Sequence, residues 1–274
     1  MAGVGHALRI ASATHTGLVR AHNEDAIGWN AEIGFVVLAD GMGGYNAGEV
    51  ASGMAVAVLR EEMNRQFDEW NGHIPRHAEQ KDIEHLLRDK VVQANDYIYR
   101  AAQSRPQYAG MGTTLVAALF YDNQLSVAHI GDSRLYRLRA GELRQLTRDH
   151  SLLQEQIDSG LITQEDARLS RNKNLVTRAL GVDPAVEPEI HTHDTRPEDI
   201  YLLCSDGLND MVEDERMGET LRHFGADPQL AANRLIQAAN DNGGKDNVSA
   251  VLVKILHPFP ADDGWLRRFL SWLK

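Results

Sequence analysis

Hydrophobic positions follow two different periods along the chain, and the changes of period mark the predicted strands and helices. Residues 35–39 are continuously apolar and an Asp-Gly pair follows them, which predicts a strand buried on both faces. From residue 47 to about residue 67, apolar side chains recur every three or four positions, as in an amphipathic helix. Asn46 with Glu49 resembles a capping box for this helix. A second stripe at 83–101 predicts another helix with Asp82 as its N-cap.

The middle of the chain has the turn residues of an antiparallel meander. Strands are predicted at 113–121, 124–130, 134–139 and 142–146, with Asp-Asn and Ala-Gly turns closing two hairpins. Residues 149–183 lack a strong strand and are interpreted as a flap. Later strands are predicted at 187–192, 199–204 and 248–256, and helices at 214–223 and 227–240. Hairpin-linked strands with helices inserted in pairs indicate packed antiparallel sheets covered by helices.

One domain is predicted over residues 5–257, followed by a linker and a short amphipathic C-terminal tail at 258–274. The tail is aromatic and basic from Trp265 to Lys274. Three contacts stay open for it: its own domain or another copy, a partner groove, or an anionic membrane surface.

Charge and cysteine content narrow the function classes. The 274 residues carry 39 acidic and 28 basic side chains, a formal charge of -11, which repels phosphate backbones and argues against a nucleic-acid partner. The single cysteine, Cys204, cannot form an internal disulfide, so we expect a cytoplasmic protein and a buried strand thiol. The longest apolar run, 115–121, is too short to cross a bilayer, and no signal-peptide core is found.

Acidic residues recur at the ends of predicted buried strands, each beside a small or turn-forming residue. They are Asp40, Asp132, Asp206 and Asp246. A single Asp-Gly is usually only a turn, but carboxylates on several strand ends can converge on one volume. Clustered carboxylates imply protonation or a bound cation, and an oxygen-only set favours Mg²⁺ or Mn²⁺. The twelve histidines show no zinc-binding spacing and are interpreted as bystanders.

The segment around residue 20 adds a cation and two further carboxylates. The Arg20 guanidinium can grip a phosphate through two parallel hydrogen bonds, although an arginine beside acids is ordinarily a solvated ion pair. Glu24 and Asp25 lie in the same short segment. Gly41 would let a main-chain carbonyl approach a metal, or would serve only a tight strand-to-helix turn.

Six motifs then occur in order: Arg20-x-x-Asn23-Glu24-Asp25, Asp40-Gly41-Met42-Gly43-Gly44, Met111-Gly112-Thr113-Thr114, Gly131-Asp132-Ser133-Arg134, Ser205-Asp206-Gly207 and Asp246-Asn247. Together they resemble the metal-dependent type 2C protein Ser/Thr phosphatases in their bacterial form, over about residues 8–255. The resemblance implies an α+β fold, a four-layer αββα sandwich of two antiparallel sheets flanked by helix pairs. It also implies a binuclear metal centre at one end of the sandwich.

The resemblance assigns metal ligands in this sequence. Asp40, Asp206 and Asp246 would hold a first Mn²⁺ or Mg²⁺, and Asp40 would bridge to a second ion that Glu24 and the Gly41 carbonyl also hold. Some of these ligands would act through water. Asp132 with Asp206 would form a weaker third site, of the kind that bacterial members add.

The resemblance also implies a mechanism without a covalent intermediate. Water activated between the two ions would attack phosphorus in line. Asp25 would orient that water and Arg20 would bind the substrate phosphate. Met42 stands where some members have a histidine, and a thioether cannot protonate the leaving alkoxide. The proton source is therefore open, with another water at the third metal as one candidate.

The function implied is hydrolysis of phosphoserine and phosphothreonine in phosphorylated proteins, reversing a bacterial Ser/Thr kinase. Two alternatives stay open. One is a metallohydrolase of small phosphate esters, and the other is a non-catalytic module that senses phosphoproteins. The complete acidic set argues against the second alternative, because a non-catalytic copy need not keep every metal carboxylate.

Overall fold

Two antiparallel β-sheets form the centre of the molecule in the computed structural model, which describes residues 4–44, 47–75, 78–163, 166 and 175–260. The strands are β1 (Leu8–His15), β2 (Asp25–Asn30), β3 (Phe35–Met42), β4 (Gly112–Thr113), β5 (Leu115–Tyr121), β6 (Gln124–Ile130), β7 (Arg134–Arg139), β8 (Glu142–Gln145), β9 (Glu189–Asp194), β10 (Ile200–Cys204) and β11 (Val248–Ile255). The first sheet has the order β1-β11-β10-β7-β8, and the second has the order β2-β3-β5-β6-β9 with β4 paired to β3.

Helices pack on the outer face of each sheet. The helices of the described chain are α1 (Ala47–Glu69), α2 (Gln80–Ser104), α3 (Leu152–Asp158), α4 (Asp206–Asn209), α5 (Asp214–Phe224) and α6 (Pro228–Asp241), and α3 has no buried residue. Buried residues of α1 and α2 share one apolar cluster with the second sheet, and those of α5 and α6 share another with the first sheet. A third cluster lies between the two sheets. The predicted α+β class and αββα layering are thus confirmed.

Strand β3 has a continuous apolar run because both of its faces are buried. Its side chains alternate between the two faces of the sheet, so Phe35 and Val37 pack under helix α1 while Val36 and Leu38 pack between the sheets. All four residues are fully buried. Asp40 is therefore the first position of the strand that is not buried.

Several boundaries differ from the sequence predictions. Asp82 is not the N-cap of α2; the N-cap is Glu79, and the Asp82 carboxylate accepts a hydrogen bond of 2.8 Å from the Glu79 backbone N–H in a capping box. The helix therefore begins one turn earlier than its apolar stripe suggests. Strands β1 and β2 were not predicted, because both lie at sheet edges and contain too many half-exposed positions to give an apolar run. The proposed Asn46 cap lies outside the described residues.

The predicted flap region begins with helix α3 and returns to the body of the protein through two isolated bridges. Ser151 pairs with Val176, and Leu180 pairs with Thr113 of β4. Part of the flap, residues 164–165 and 167–174, and the tail beyond residue 260 lie outside the described chain. Within the described part, no helix has the length and apolar character that crossing a membrane requires.

Candidate metal centre

The predicted site residues meet where strands of both sheets end at the same edge of the sandwich. Asp40 lies near the end of β3 in the second sheet, directly opposite Asp25 of β2. From the first sheet come Asp206, which follows β10, and Asp246, which precedes β11. Both sheets therefore contribute acids to one centre, as the strand-end pattern predicts.

Mutual repulsion among these carboxylates shows that they share one environment. Burial and the neighbouring charges of Asp25 and Asp206 raise the pKa of Asp40 well above its usual range. Burial, followed by the charges of Asp132 and other aspartates, likewise raises the pKa of Asp206. Burial also raises the pKa of Asp25 to about 6, against a hydrogen bond from Ser205. A divalent cation would remove this repulsion, which protons otherwise have to relieve.

Asp25 has one oxygen bound and one oxygen without a partner. The Ser205 hydroxyl donates a hydrogen bond of 2.8 Å to Asp25 Oδ2. Asp25 Oδ1 is buried and has no hydrogen-bond partner among the described residues. A buried carboxylate oxygen left in this state is costly, so it suits a bound water or cation at this point.

Glu24 lies against the first turn of helix α1. A Cβ at Gly48 would stand 2.7 Å from Glu24 Oε2, and a Cβ at Gly41 would stand 2.1 Å from the Gly48 carbonyl oxygen. The Gly41 N–H donates a hydrogen bond of 3.1 Å to the Glu24 carbonyl. Gly41 is therefore required by the close approach of β3 to α1, which fits the tight strand-to-helix turn predicted as one of its two roles, while the metal contact stays a prediction. Burial raises the pKa of Glu24, while the positive charge of Arg20 opposes that rise.

Arg20 lies at the mouth of the centre. Its Nη2 donates a hydrogen bond of 2.6 Å to Asp246 Oδ2, and its side chain is 54% exposed. A guanidinium that keeps most of its donors in solvent can bind a phosphate there. The predicted phosphate-binding residue is thus placed beside the predicted metal ligands.

Asp132 borders a cavity of about 310 Å³ on the flap side of the centre. Asp206 and Asp149 also line this cavity, as do residues of α3. Burial, followed by the charge of Asp149, raises the pKa of Asp132 to about 6. Asp149 itself is held by Arg134, whose Nη2 donates a hydrogen bond of 2.6 Å to Asp149 Oδ2. The structure therefore brings Asp132 and Asp206 together, as the proposed third site requires.

A group of histidines lies near the flap entrance but does not have the geometry of a second metal centre. Ligand atoms of His129, His150 and Glu189 lie within 4.8 Å of one another. However, the His129 and His150 rings stack at 4.9 Å with an interplanar angle of 17°, so their in-plane lone pairs cannot converge on one ion. His150 Nδ1 also accepts a hydrogen bond of 3.2 Å from the Gly131 N–H. Burial would raise the pKa of Glu189, but hydrogen bonds from His191 and His150 outweigh burial and lower this pKa to about 2.

The oxygen donors fit a pair of hard divalent ions. Asp40, Asp206 and Asp246 offer carboxylate oxygens and neither sulfur nor imidazole, and the unpartnered Oδ1 of Asp25 lies beside them. Two residues of the centre, Ser205 and Asn247, had no role in the sequence analysis. The sequence contained one indication that they belong to the site, which is that they stand next to Asp206 and Asp246 in short motifs.

Comparison with known proteins agrees with this geometry. A family model described as protein phosphatase 2C matches residues 13–257. The serine/threonine phosphatase stp of Listeria monocytogenes is 41% identical over 246 residues, covering 88% of this chain and 93% of that protein. The crystal structure of the Mycobacterium tuberculosis serine/threonine phosphatase PstP/Ppp superposes with a TM-score of 0.81 at 40% identity, covering 91% of this chain and 99% of that one.

A second related structure, the catalytic domain of PstP in complex with two manganese ions, has a TM-score of 0.77 at 40% identity and covers 91% of this chain and 98% of that one. The full Mycobacterium tuberculosis PstP is 41% identical over 258 residues, which are 93% of this chain and 46% of that protein. The chain therefore spans about half the length of this relative. On the family match and these identities, the chain belongs to the protein phosphatase 2C family.

Proposed function

We propose that this protein is a metal-dependent phosphoprotein phosphatase that hydrolyses phosphoserine and phosphothreonine. The observation that carries the proposal is the meeting of Asp40, Asp206 and Asp246 beside an exposed guanidinium, Arg20. Carboxylates alone would repel a phosphate, so the site needs cations as well as the arginine to bind one. The family relatives named as serine/threonine phosphatases support the same substrate class.

The proposed ligand set is the one that the family resemblance implies, and the related PstP domain, solved in complex with two manganese ions, supports a centre of two ions. Asp40, Asp206 and Asp246 would hold one ion, while Glu24, Asp40 and the Gly41 carbonyl would hold the other. Asp132 with Asp206 is the proposed weaker third site. Mn²⁺ or Mg²⁺ at the first two sites would lower the pKa of water enough to supply an attacking group near neutral pH. The same ions would offset negative charge on the phosphoryl oxygens.

The side chains of this chain have distinct tasks in that reaction. Arg20 binds the phosphoryl oxygens by exchanging its bond to Asp246 for bonds to the substrate. Asp25 offers its unpartnered Oδ1 as an acceptor for a water proton, while Ser205 keeps the carboxylate from rotating. Met42 cannot donate a proton, so the leaving alkoxide takes one from water at the exposed mouth of the site.

The proposed setting is a bacterial signalling pathway in the cytoplasm. The substrates would be phosphorylated proteins, and the enzyme would reverse a cognate Ser/Thr kinase. A fold whose single cysteine, Cys204, is buried and free needs no oxidising compartment. Residues 5–257 are the proposed catalytic domain. The contact made by the tail at 265–274 stays a prediction, because the tail lies outside the described residues.

Hydrolysis of a phosphothreonine peptide tests the proposal. Wild-type protein with Mn²⁺ should release phosphate, and chelator or Asp206→Ala should reduce turnover by more than about 100-fold, because each removes cation binding. Asp68→Ala, on the exposed face of α1, is the matched control and should retain full activity. Turnover that persists in chelator would refute the metal mechanism, and faster hydrolysis of small phosphate esters than of phosphopeptides would favour the alternative metallohydrolase.

A further inference from the structure

We propose that Asn247 is the positioning residue that fixes the phosphate-binding loop against the carboxylate centre. The loop is defined here as residues 16–24, the connection between β1 and β2, and it carries both Arg20 and Glu24. This inference rests on the proposed function, because it concerns how that site is assembled. It assigns a task to a side chain that binds neither substrate nor metal.

The Asn247 amide uses all of its hydrogen-bonding groups on the backbone of this loop. Its Oδ1 accepts a bond of 2.8 Å from the Glu24 N–H. Its Nδ2 donates bonds of 2.9 Å to the Thr16 carbonyl and 2.8 Å to the His22 carbonyl. Two carbonyl partners on one side and an N–H on the other fix which amide atom is nitrogen. Because the residue is only 5% exposed, water cannot readily replace these bonds.

The three bonds hold the loop at both of its ends. Thr16 lies at the start of the loop, while His22 and Glu24 lie at its end, so the amide closes it into a ring that carries Arg20. A separate bond of 2.7 Å from the Leu18 N–H to the Gly244 carbonyl supports the middle of the loop. The position of the guanidinium therefore depends on a loop whose two ends are joined by the side chain of Asn247, the residue directly before β11.

The backbone of Asn247 orients the neighbouring acids as well. Its N–H donates a bond of 2.8 Å to Asp246 Oδ1, which leaves Oδ2 directed at Arg20. A Cβ at Gly207 would stand 2.0 Å from the Asn247 carbonyl oxygen, so the turn of α4 that contains Asp206 packs directly on this residue. Asn247 thus contacts the loop, Asp246 and the Asp206 turn, and it sets the distances among them.

Replacement of the amide by a carboxylate tests the inference with little change of shape. In Asn247→Asp, an oxygen would face the Thr16 and His22 carbonyls in place of the amide N–H groups. The two ends of the loop would then separate from residue 247, and Arg20 and Glu24 would move with them. We expect the Kd for Mn²⁺, measured by calorimetry, and the KM for a phosphothreonine peptide each to rise by about 10-fold or more.

Asn95 provides a matched control. It is 1% exposed, its Oδ1 accepts a bond of 2.7 Å from the Gly181 N–H, and its Nδ2 donates a bond of 3.0 Å to the Asp183 carbonyl. Asn95→Asp therefore introduces the same kind of repulsion, against one carbonyl in place of two, at a buried amide that does not contact the loop. Both variants should unfold at lower urea concentration, but only Asn247→Asp should change the Kd and the KM. An Asn247→Asp protein with both constants unchanged, or an Asn95→Asp protein with the same changes, would overturn the inference.

Amide hydrogen exchange of the wild-type protein tests the inference even if Asn247→Asp does not fold. In chelator, the Glu24 N–H should remain protected, because Asn247 rather than a cation holds it. Free exchange of this amide without metal would show that cations order the loop, and the inference would fail. If the wild-type protein released no phosphate, the proposed function would fail, whereas metal affinity and exchange would still decide the role of Asn247.

Discussion

The Asp25→Asn variant should be more stable than the wild-type protein when metal is removed. Asp25 is a carboxylate with one buried, unpartnered oxygen, and it lies opposite another acid, Asp40. An asparagine keeps the shape and can still accept the Ser205 hydrogen bond, but it carries no charge. The substitution therefore removes the repulsion while leaving the packing in place.

The expected gain follows from the pKa of the carboxyl group. Raising this pKa from its usual 3.8 to about 6 costs the ionised, metal-free protein about 3 kcal/mol of unfolding free energy. Because the folded pKa lies above the unfolded one, the cost is absent below the unfolded pKa and complete once the pH exceeds the folded pKa. We expect Asp25→Asn to gain about 3 kcal/mol near pH 8 and about 1 kcal/mol near pH 4.5.

Urea unfolding in chelator, followed by circular dichroism at both pH values, measures this difference. Asp199→Asn is the control of opposite sign, because Asp199 is 1% exposed and bonded at 2.6 Å and 2.8 Å to Arg139. Loss of the Asp199 charge should lower the free energy of unfolding by about 3 kcal/mol near pH 8, because it leaves Arg139 without its buried partner. With Mn²⁺ present, Asp25→Asn should lower kcat. A stability gain that is missing near pH 8, or equally large near pH 4.5, would refute the reasoning.

Two further predictions concern packing. Gly41→Ala should lower the free energy of unfolding by about 3 kcal/mol or more, since its Cβ would stand 2.1 Å from the Gly48 carbonyl oxygen. Gly53→Ala is the control, at an open position of α1, and it should raise the free energy of unfolding by about 1 kcal/mol, measured by urea unfolding as above. Cys204 should not react with a thiol reagent such as DTNB in the native protein, because burial raises the pKa of its fully buried thiol. Reaction before unfolding would contradict the burial of β10.

The parts of the fold that sequence predicts best are those with a strong hydrophobic period. Strand β3 and helices α1 and α2 follow from such periods, and the αββα layering follows from the family resemblance and is confirmed. Strands β1 and β2 escape prediction because an edge strand pairs on one side only and keeps half-exposed polar positions. The N-cap of α2 escapes because its capping box lies one turn before the apolar stripe.

The candidate site divides in the same way. Strand-end acids such as Asp40 and Asp206 can be found from the sequence, because each follows an apolar run. The task of Asn247 cannot be found in this way, since its partners are backbone groups far away in the chain. The need for Gly41 likewise depends on how closely a strand and a helix approach each other, a distance that no local pattern encodes.

The contribution of acids by both sheets links the two halves of the molecule mechanically. Asp40 belongs to one sheet and Asp206 follows a strand of the other, and the layer between the sheets is mostly apolar, although the Tyr201 hydroxyl of β10 donates a hydrogen bond of 3.4 Å to the Asp194 carbonyl of β9. A cation coordinated by both residues would cross-link the two sheets and resist sliding of one sheet over the other. By mass action, cation binding would raise the melting temperature, and cation removal would loosen the edge of the sandwich at which Arg20 lies.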